Sequence, residues 1–304
     1  MAMGIRRRHA LTPREFLTEH LMPSVPVIVT GEMHAWEARR SWSFDSFARR
    51  FGDRRVPIYG DYFGPTSFKR ITSLGEFLAS TDRGGSYVRW FTLFQDLPER
   101  QRRFFPWSDS FFDEVTAEWA HPSFLPDHSY LLPFCSSEHR LDFTRSSPAT
   151  LAKALYMSPV GSQTRLHKDP WGTDAVILQF SGRKYAKVWP PAAEPYLTRT
   201  VAGADEPEVV VVESPDPVGF PDFAKAGDPI EGWIEPGDII YLPAGWYHHV
   251  VTVEDSISIT WNFTHQAAWP TWHKLHARLP VWQQSDINYI LHAAPNRLPA
   301  LGSG

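Results

Sequence analysis

Cysteine is almost missing from this chain of 304 residues: Cys135 stands alone. That excludes a disulfide framework and a thiolate metal cluster. Long apolar runs are missing too, and no stretch approaches the roughly 18–20 residues of a membrane span. Neither charge dominates, with a formal net charge of −4, so a domain that grips nucleic acid through a strongly basic face is not expected. The opening MAMGIRRRHALTPREF carries basic residues with no apolar stretch behind them. It does not read as a secretory signal, and the cytoplasm is the expected compartment. Lysine is scarce: of the 30 basic residues 7 are Lys and 23 are Arg, so the place of each lysine is informative.

Aromatic residues and proline are plentiful, with 13 Trp, 20 Phe and 27 Pro, which suits a β-rich fold with many turns. In LTPREFLTEHL, Thr12 can cap a helix, Pro13 fits its first position and Glu15 completes a capping box. PVIVTG (26–31) has the pattern of a buried strand. WSFDSFARRFGD (42–53) reads as a helix, VPIYG (56–60) as a strand, SLGEFLAST (73–81) as a helix and SYVRWFTL (86–93) as a strand. Little regular structure is expected from 94 to 150. Strand signals then become dense: ALYMSPV, TRLHKD, AVILQF, YAKVWPP, EVVVVES, WIEPGDIIYLP, HHVVTVED and SISITWNF follow at spacings of about ten residues. SGRK, EPGD, PAGW and VEDS supply the turns. Many short strands with regular turns predict a sandwich or barrel, and the tail WPTWHKLHARLPVWQQSDINYILHAA returns to an amphipathic helical pattern. The expected layout is a mainly β core with flanking α-helices at both termini, in one domain over 1–304.

Two segments carry candidate chemistry. In SQTRLHKDPWGTD (162–174), His167 and Asp169 lie two residues apart in an extended stretch, so both side chains reach one side. Alone, that pair could equally be two hydrogen-bonded polar residues at a strand end. The second segment, GDIIYLPAGWYH (237–248), has the spacing G-x5-P-x-G-x2-H and resembles the second signature of the cupin superfamily. In that fold His248 projects into the barrel beside His167 and Asp169. Two histidines and one carboxylate form a facial triad that suits Fe(II) and leaves adjacent coordination positions open. His249 has the opposite parity and is expected to face away.

With these motifs in place, the chain resembles the Jumonji-C (JmjC) type of cupin-like 2-oxoglutarate oxygenase. PVIVTGEMHAW, HKDPWGTDAVILQFSGRKYAKVWPP, VGFPDFAKA, GDIIYLPAGWYHHV and SISITWNF come in that family's order. The run HKDPWGT…GRK…WPP is similar to Jumonji members described as protein lysyl hydroxylases or arginine demethylases. The general layout also resembles asparaginyl-hydroxylase and tRNA-hydroxylase relatives. The resemblance implies a double-stranded β-helix (jelly-roll, cupin) core over 151–265, an N-terminal α/β flank over 1–93, a loop-rich substrate-side segment over 94–150, and C-terminal helices and a tail over 266–304. It implies Fe(II) on His167, Asp169 and His248, with 2-oxoglutarate and O2 as cosubstrates. Lys184 occupies the family's lysine for the distal carboxylate of 2-oxoglutarate, where a flexible ammonium is a fitting partner. Thr164 matches the family's hydroxyl donor, Tyr87 its tyrosine, with Tyr130 as the rival position. Asn262 matches a polar residue beside the metal-bound carboxylate.

The implied activity is hydroxylation, or N-demethylation through hydroxylation, of a side chain in a protein or peptide, with succinate and CO2 as co-products. Two alternatives stand beside it: the same chemistry on a metabolite or RNA nucleoside, and a catalytically silent cupin that only binds. Tyr247 stands where many relatives have Trp. Thr264 and His265 stand where some protein hydroxylases carry Trp near the substrate, so substrate choice does not transfer. The cluster PERQRRFF (98–105) reads as a solvated helix face. Trp272, Trp282 and Ile290 in the C-terminal helices could pack on the core or, as in several JmjC hydroxylases, form a homodimer interface.

Overall fold

The computed structural model describes residues 3–60, 68–91 except 82 and 84, 114–125, 153–265 except 205, and residues 267, 272, 274, 275, 277–281, 283 and 284. Tyr130, Trp282, Ile290, Cys135 and the 98–105 cluster lie outside them.

Strand β1 (Arg7–His9) precedes helix α1 (Pro13–Phe16), whose cap is the one the sequence predicts. The Thr12 hydroxyl accepts from the Glu15 amide, and the Glu15 carboxylate accepts from the Thr12 amide at 2.8 Å. The α-helix is shorter than its sequence pattern: Leu17–Leu21 forms a widened π turn in which the Met22 amide reaches back to the Leu17 carbonyl. Widening places His20 and Leu21 both in the interior. Strand β2 (Val27–Thr30), helices α2 (Glu37–Ser41) and α3 (Phe44–Phe51), strands β3 (Arg55–Tyr59) and β4 (Phe68–Ser73), helix α4 (Leu74–Ala79) and strand β5 (Tyr87–Phe91) follow. Then come β6 (Lys153–Ser158), β7 (Gln163–His167), β8 (Asp174–Ser181), β9 (Lys184–Trp189), helix α5 (Glu194–Leu197), short strands β10 (Thr198–Arg199) and β11 (Glu208–Val209), β12 (Ile230–Ile234), β13 (Ile239–Leu242), β14 (Tyr247–Thr252) and β15 (Ser256–Phe263).

The strands form a nine-stranded sheet in the order β1-β2-β13-β8-β15-β6-β5-β3-β4 and a four-stranded sheet in the order β12-β9-β14-β7. From β6 to β9, and again from β12 to β15, successive strands switch sheet. That switching winds a double-stranded β-helix, the jelly-roll core that the family resemblance implies and one of the barrel-like folds that the turn spacing allows. Period-2 alternation sorts the side chains into layers. On β8 and β13, Ala175, Ile177, Ile240 and Leu242 face the space between the sheets, where Ala186, Val188, Ile234 and Val250 meet them. On the other side Val176, Leu178, Phe180, Ile239 and Tyr241 pack beneath the N-terminal helices, against Phe16, Phe47 and Phe77. The outer face of the small sheet is closed by Leu197, Val210 and Phe220 over Leu166, Trp189 and Tyr247. Strand β8 is therefore covered on both sides, which is why AVILQF reads as a continuous apolar run.

Two strands escape the sequence pattern. Strand β1 is the Arg-rich edge of the large sheet and pairs in parallel with β2. Strand β4, FKRITS, is the other edge; edge strands read as polar because one of their sides meets water. The opposite error falls on EVVVVES, where only Glu208–Val209 pairs as a strand. Pro207, Pro215 and Pro217 flank the run and cannot donate to a ladder. Its Val210 is instead fixed by packing against the small sheet.

Phe16 ties the N-terminal helix to this core. It is fully buried, edge-on to Phe124 at 5.1 Å and to Tyr241 at 4.9 Å between ring centroids. Phe16→Ala is expected to lower stability by about 3–5 kcal/mol, read from the urea midpoint at unchanged denaturant slope.

Candidate metal centre

Strands β7 and β14 are neighbours in the small sheet, and their register sets His167 directly opposite His248. The two imidazoles lie 4.1 Å apart between ring centroids. Asp169 follows two residues beyond His167, where the strand has ended and a Pro170–Gly172 turn begins. One ligand atom from each of His167, Asp169 and His248 falls within 4.8 Å of the others. Each His Nε2 stands 3.9 Å from an Asp169 carboxylate oxygen. That is too long for a hydrogen bond and leaves room between the three atoms.

The backbone fixes the tautomers. His167 Nδ1–H donates to the Arg165 carbonyl at 2.8 Å, and His248 Nδ1–H donates to the Trp246 carbonyl at 3.2 Å. A carbonyl only accepts, so the proton sits on Nδ1 and the Nε2 lone pairs point at the carboxylate. Burial, and then the neighbouring His248, push His167 well below its ordinary value, so the ring is neutral, the state a metal ligand requires. His249 points the other way, as its parity predicts: its Nε2 lies 2.5 Å from a Glu213 carboxylate oxygen and also meets Gln163.

Lys184 begins β9 on the face shared by Ala186 and Val188, inside the barrel. Only 6% of it is exposed. Its Nζ donates to Ser258 Oγ at 2.8 Å, and no carboxylate partners it among the described residues. Burial alone therefore moves the amine down to about 7. A buried cation without a counter-ion is costly. An anion entering the barrel would relieve that cost, so the cavity is chemically suited to a carboxylate.

The other candidates lie on the same interior. Thr164 is opposite Val250 on β14 and half-buried. Asn262 donates through Nδ2 to Thr173 Oγ1 at 3.0 Å, bridging β15 to the end of the turn that follows Asp169. Tyr87 is buried and stacked between Tyr59 and Tyr156, at 6.0 and 5.9 Å. Tyr156 is the cross-strand partner of Ser258, so Tyr87, Tyr156 and Ser258 line one wall of the large sheet, and Lys184 reaches Ser258 from the small sheet opposite. Ser258, Tyr156 and Arg89 are neighbours of these candidates that the motif reading misses. Tyr156 is half-buried, with the Arg89 guanidinium 5.7 Å from its ring, and desolvation pushes its hydroxyl up. The missing signal for Ser258 is in SISITWNF itself: the alternation that buries Ile257, Ile259 and Trp261 under the helices turns Ser256, Ser258, Thr260 and Asn262 inward.

A family model for the cupin-like domain matches residues 13–268. The chain belongs to the cupin-like domain family. Among its relatives, lysine-specific demethylase 8 of Xenopus tropicalis is 24% identical over 267 residues, covering 84% of this chain and 52% of that protein. The 2-oxoglutarate and iron-dependent oxygenase JMJD4 of Gallus gallus is 24% identical over 285 residues, 85% of this chain and 59% of that protein. The bifunctional arginine demethylase and lysyl-hydroxylase psr-1 of Caenorhabditis elegans is 24% identical over 259 residues, 83% of this chain and 59% of that protein. The chain thus spans little more than half the length of these curated relatives. The cupin fold explains the position of the three candidate ligands: two come from paired strands and one from the turn beyond them. Among the described residues, no helix is long and apolar enough to cross a membrane.

Proposed function

We propose that this cupin-like chain is an Fe(II)- and 2-oxoglutarate-dependent oxygenase that hydroxylates, or N-demethylates through hydroxylation, a side chain of a protein or peptide. The observation that carries the reading is the pairing, inside one barrel, of the His167–Asp169–His248 group with a buried lysine that has no carboxylate partner among the described residues. The names of the relatives, which include demethylases and a lysyl-hydroxylase, support a polypeptide substrate.

In this reading His167, Asp169 and His248 hold the iron. Lys184 holds the distal carboxylate of 2-oxoglutarate, aided by Ser258 and by the neighbouring Thr164 and Tyr87, while Asn262 steadies the metal-bound end through Thr173. Bound iron with 2-oxoglutarate supplies the oxidation: O2 and 2-oxoglutarate are consumed, CO2 and succinate leave, and one oxygen atom enters a substrate C–H bond. The chain itself provides orientation and dryness. Neutral imidazoles with fixed tautomers present their lone pairs without a proton to displace. The apolar layer of Ala186, Val188, Ile240 and Val250 keeps bulk water from the carboxylate end, which strengthens the Lys184 contact.

The test is succinate formation from 2-oxoglutarate by the full chain with Fe(II), alone and with lysine- and arginine-bearing peptides. Turnover stimulated by a peptide, with a mass gain of one oxygen or loss of a methyl group, is the expected result. Turnover stimulated only by a small metabolite or a nucleoside would move the substrate class, and no turnover at all would leave a binding cupin.

A further inference from the structure

His167 and His248 owe their positions to a ladder of strand hydrogen bonds, whereas Asp169 lies past the end of β7 and has no such support. Its place depends on the turn that follows. In that turn Trp171 and Gly172 both take left-handed backbone angles, with φ of 58° and 62°. For tryptophan this is a strained conformation that persists only where its surroundings impose it.

The surroundings come from the far end of the chain. The Trp171 amide donates to Gln283 Oε1 at 2.6 Å, and the Trp171 carbonyl accepts from Trp272 Nε1 at 2.8 Å. Both backbone polar groups of the strained residue are thus held by side chains more than a hundred positions away, and both side chains are buried. The packing is equally close: a methyl group on Gly172 would lie 3.6 Å from Leu275 Cβ and 3.6 Å from Trp272 Cδ1. Leu275 also reaches the other signature turn, with its Cδ2 4.0 Å from where a methyl on Gly245 would sit. Gly245 lies three residues before His248, so one segment touches both turns that adjoin candidate ligands.

We infer that Trp272 and Gln283, with Leu275 wedged between the two turns, are positioning residues that set the Asp169 carboxylate against the paired histidines. The inference rests on the reading of His167, Asp169 and His248 as metal ligands. It assigns the C-terminal segment a role in metal affinity, separate from any part it has in association between copies of the chain.

Cobalt(II), an oxygen-stable probe, tests this on the full chain by calorimetry and by its visible ligand-field bands, well below the melting temperature. Gln283→Met removes the acceptor at similar size, Trp272→Phe removes only the N–H, and Gln283→Glu keeps an acceptor. Loss of either hydrogen bond is expected to weaken cobalt binding about tenfold and to alter the bands, with Gln283→Glu restoring much of the affinity. A purely structural role would lower the melting temperature and leave affinity and bands as in the wild type; that result overturns the inference while the metal reading stands. If folded wild-type protein binds no cobalt, the ligand assignment fails first and this inference with it. Should Gln283→Met not fold, Trp272→Phe decides alone.

Discussion

Asp169→Ala is expected to abolish both metal binding and succinate formation while leaving the protein folded. Asp169 is the only anionic member of the three-residue group, and its removal leaves two neutral imidazoles. The expected loss of metal affinity exceeds the roughly 10–100-fold that follows removal of an outer-shell partner. The metal-free fold should tolerate the change, because the carboxylate makes no hydrogen bond to either histidine and its side chain is mostly withdrawn from water. His249→Gln is the control. It alters the residue next to His248, yet that side chain sits on the outer face against Glu213 and Gln163. Its metal affinity is expected to match the wild type. Equal losses in both variants would mean that the effect is structural and not one of coordination. Calorimetric titration with the metal separates the two outcomes.

Lys184→Met is expected to give the second large effect, on 2-oxoglutarate and not on the metal. A hydrogen bond to a charged group contributes about 1.5–3 kcal/mol, so 2-oxoglutarate binding should weaken by roughly 10–150-fold with metal affinity retained. Stability should move the other way. The wild-type amine is pushed down to about 7 by burial, from an ordinary value near 10.5. Between those two values the unfolded chain binds the extra proton, so the stability of the wild type rises with pH across that window. Below pH 7 the lysine is charged in both states and the cost of burying it is present in full. Lys184→Met removes this cost and the slope with it, so the variant is expected to melt higher near neutral pH in the absence of 2-oxoglutarate. A bound carboxylate restores the ammonium, so binding above pH 7 takes up a proton. The affinity of the wild type for 2-oxoglutarate should then fall as pH rises above 7, by at most about tenfold per unit. A flat profile, or a variant that binds 2-oxoglutarate as well as the wild type, would remove Lys184 from the site.

The local chemistry of the sequence foretells much of this arrangement. The Thr12–Glu15 cap, the helix in SLGEFLAST and the closely spaced strands of the core are all short-range patterns, and the structure follows them. The two motifs that carry His167, Asp169 and His248 are legible because strand parity and turn glycines depend on neighbours alone. Parity also places His249 outside. The failures have a common cause. The Arg-rich β1 becomes a strand only because β2 is there to pair with it. EVVVVES has strand propensity but little to pair with, since Thr198–Arg199 offers it two residues. Ser258 gains its meaning from Lys184 across the barrel, 74 positions away, and Trp272 and Gln283 from a turn more than a hundred positions away. Contacts of that length are set by the packing of sheets and not by periodicity. The candidate ligands are more legible in the sequence than the distant residues packed around them.

Anaerobic addition of Fe(II) and 2-oxoglutarate to the full chain tests the central claim most directly. Chelation of 2-oxoglutarate to iron in this site should produce a visible metal-to-ligand charge-transfer band. The band is expected in the wild type, lost in His248→Ala, and formed in Lys184→Met only at much higher 2-oxoglutarate. Folded protein with metal supplied that gives no band, or a band that survives His248→Ala unchanged, would contradict the account.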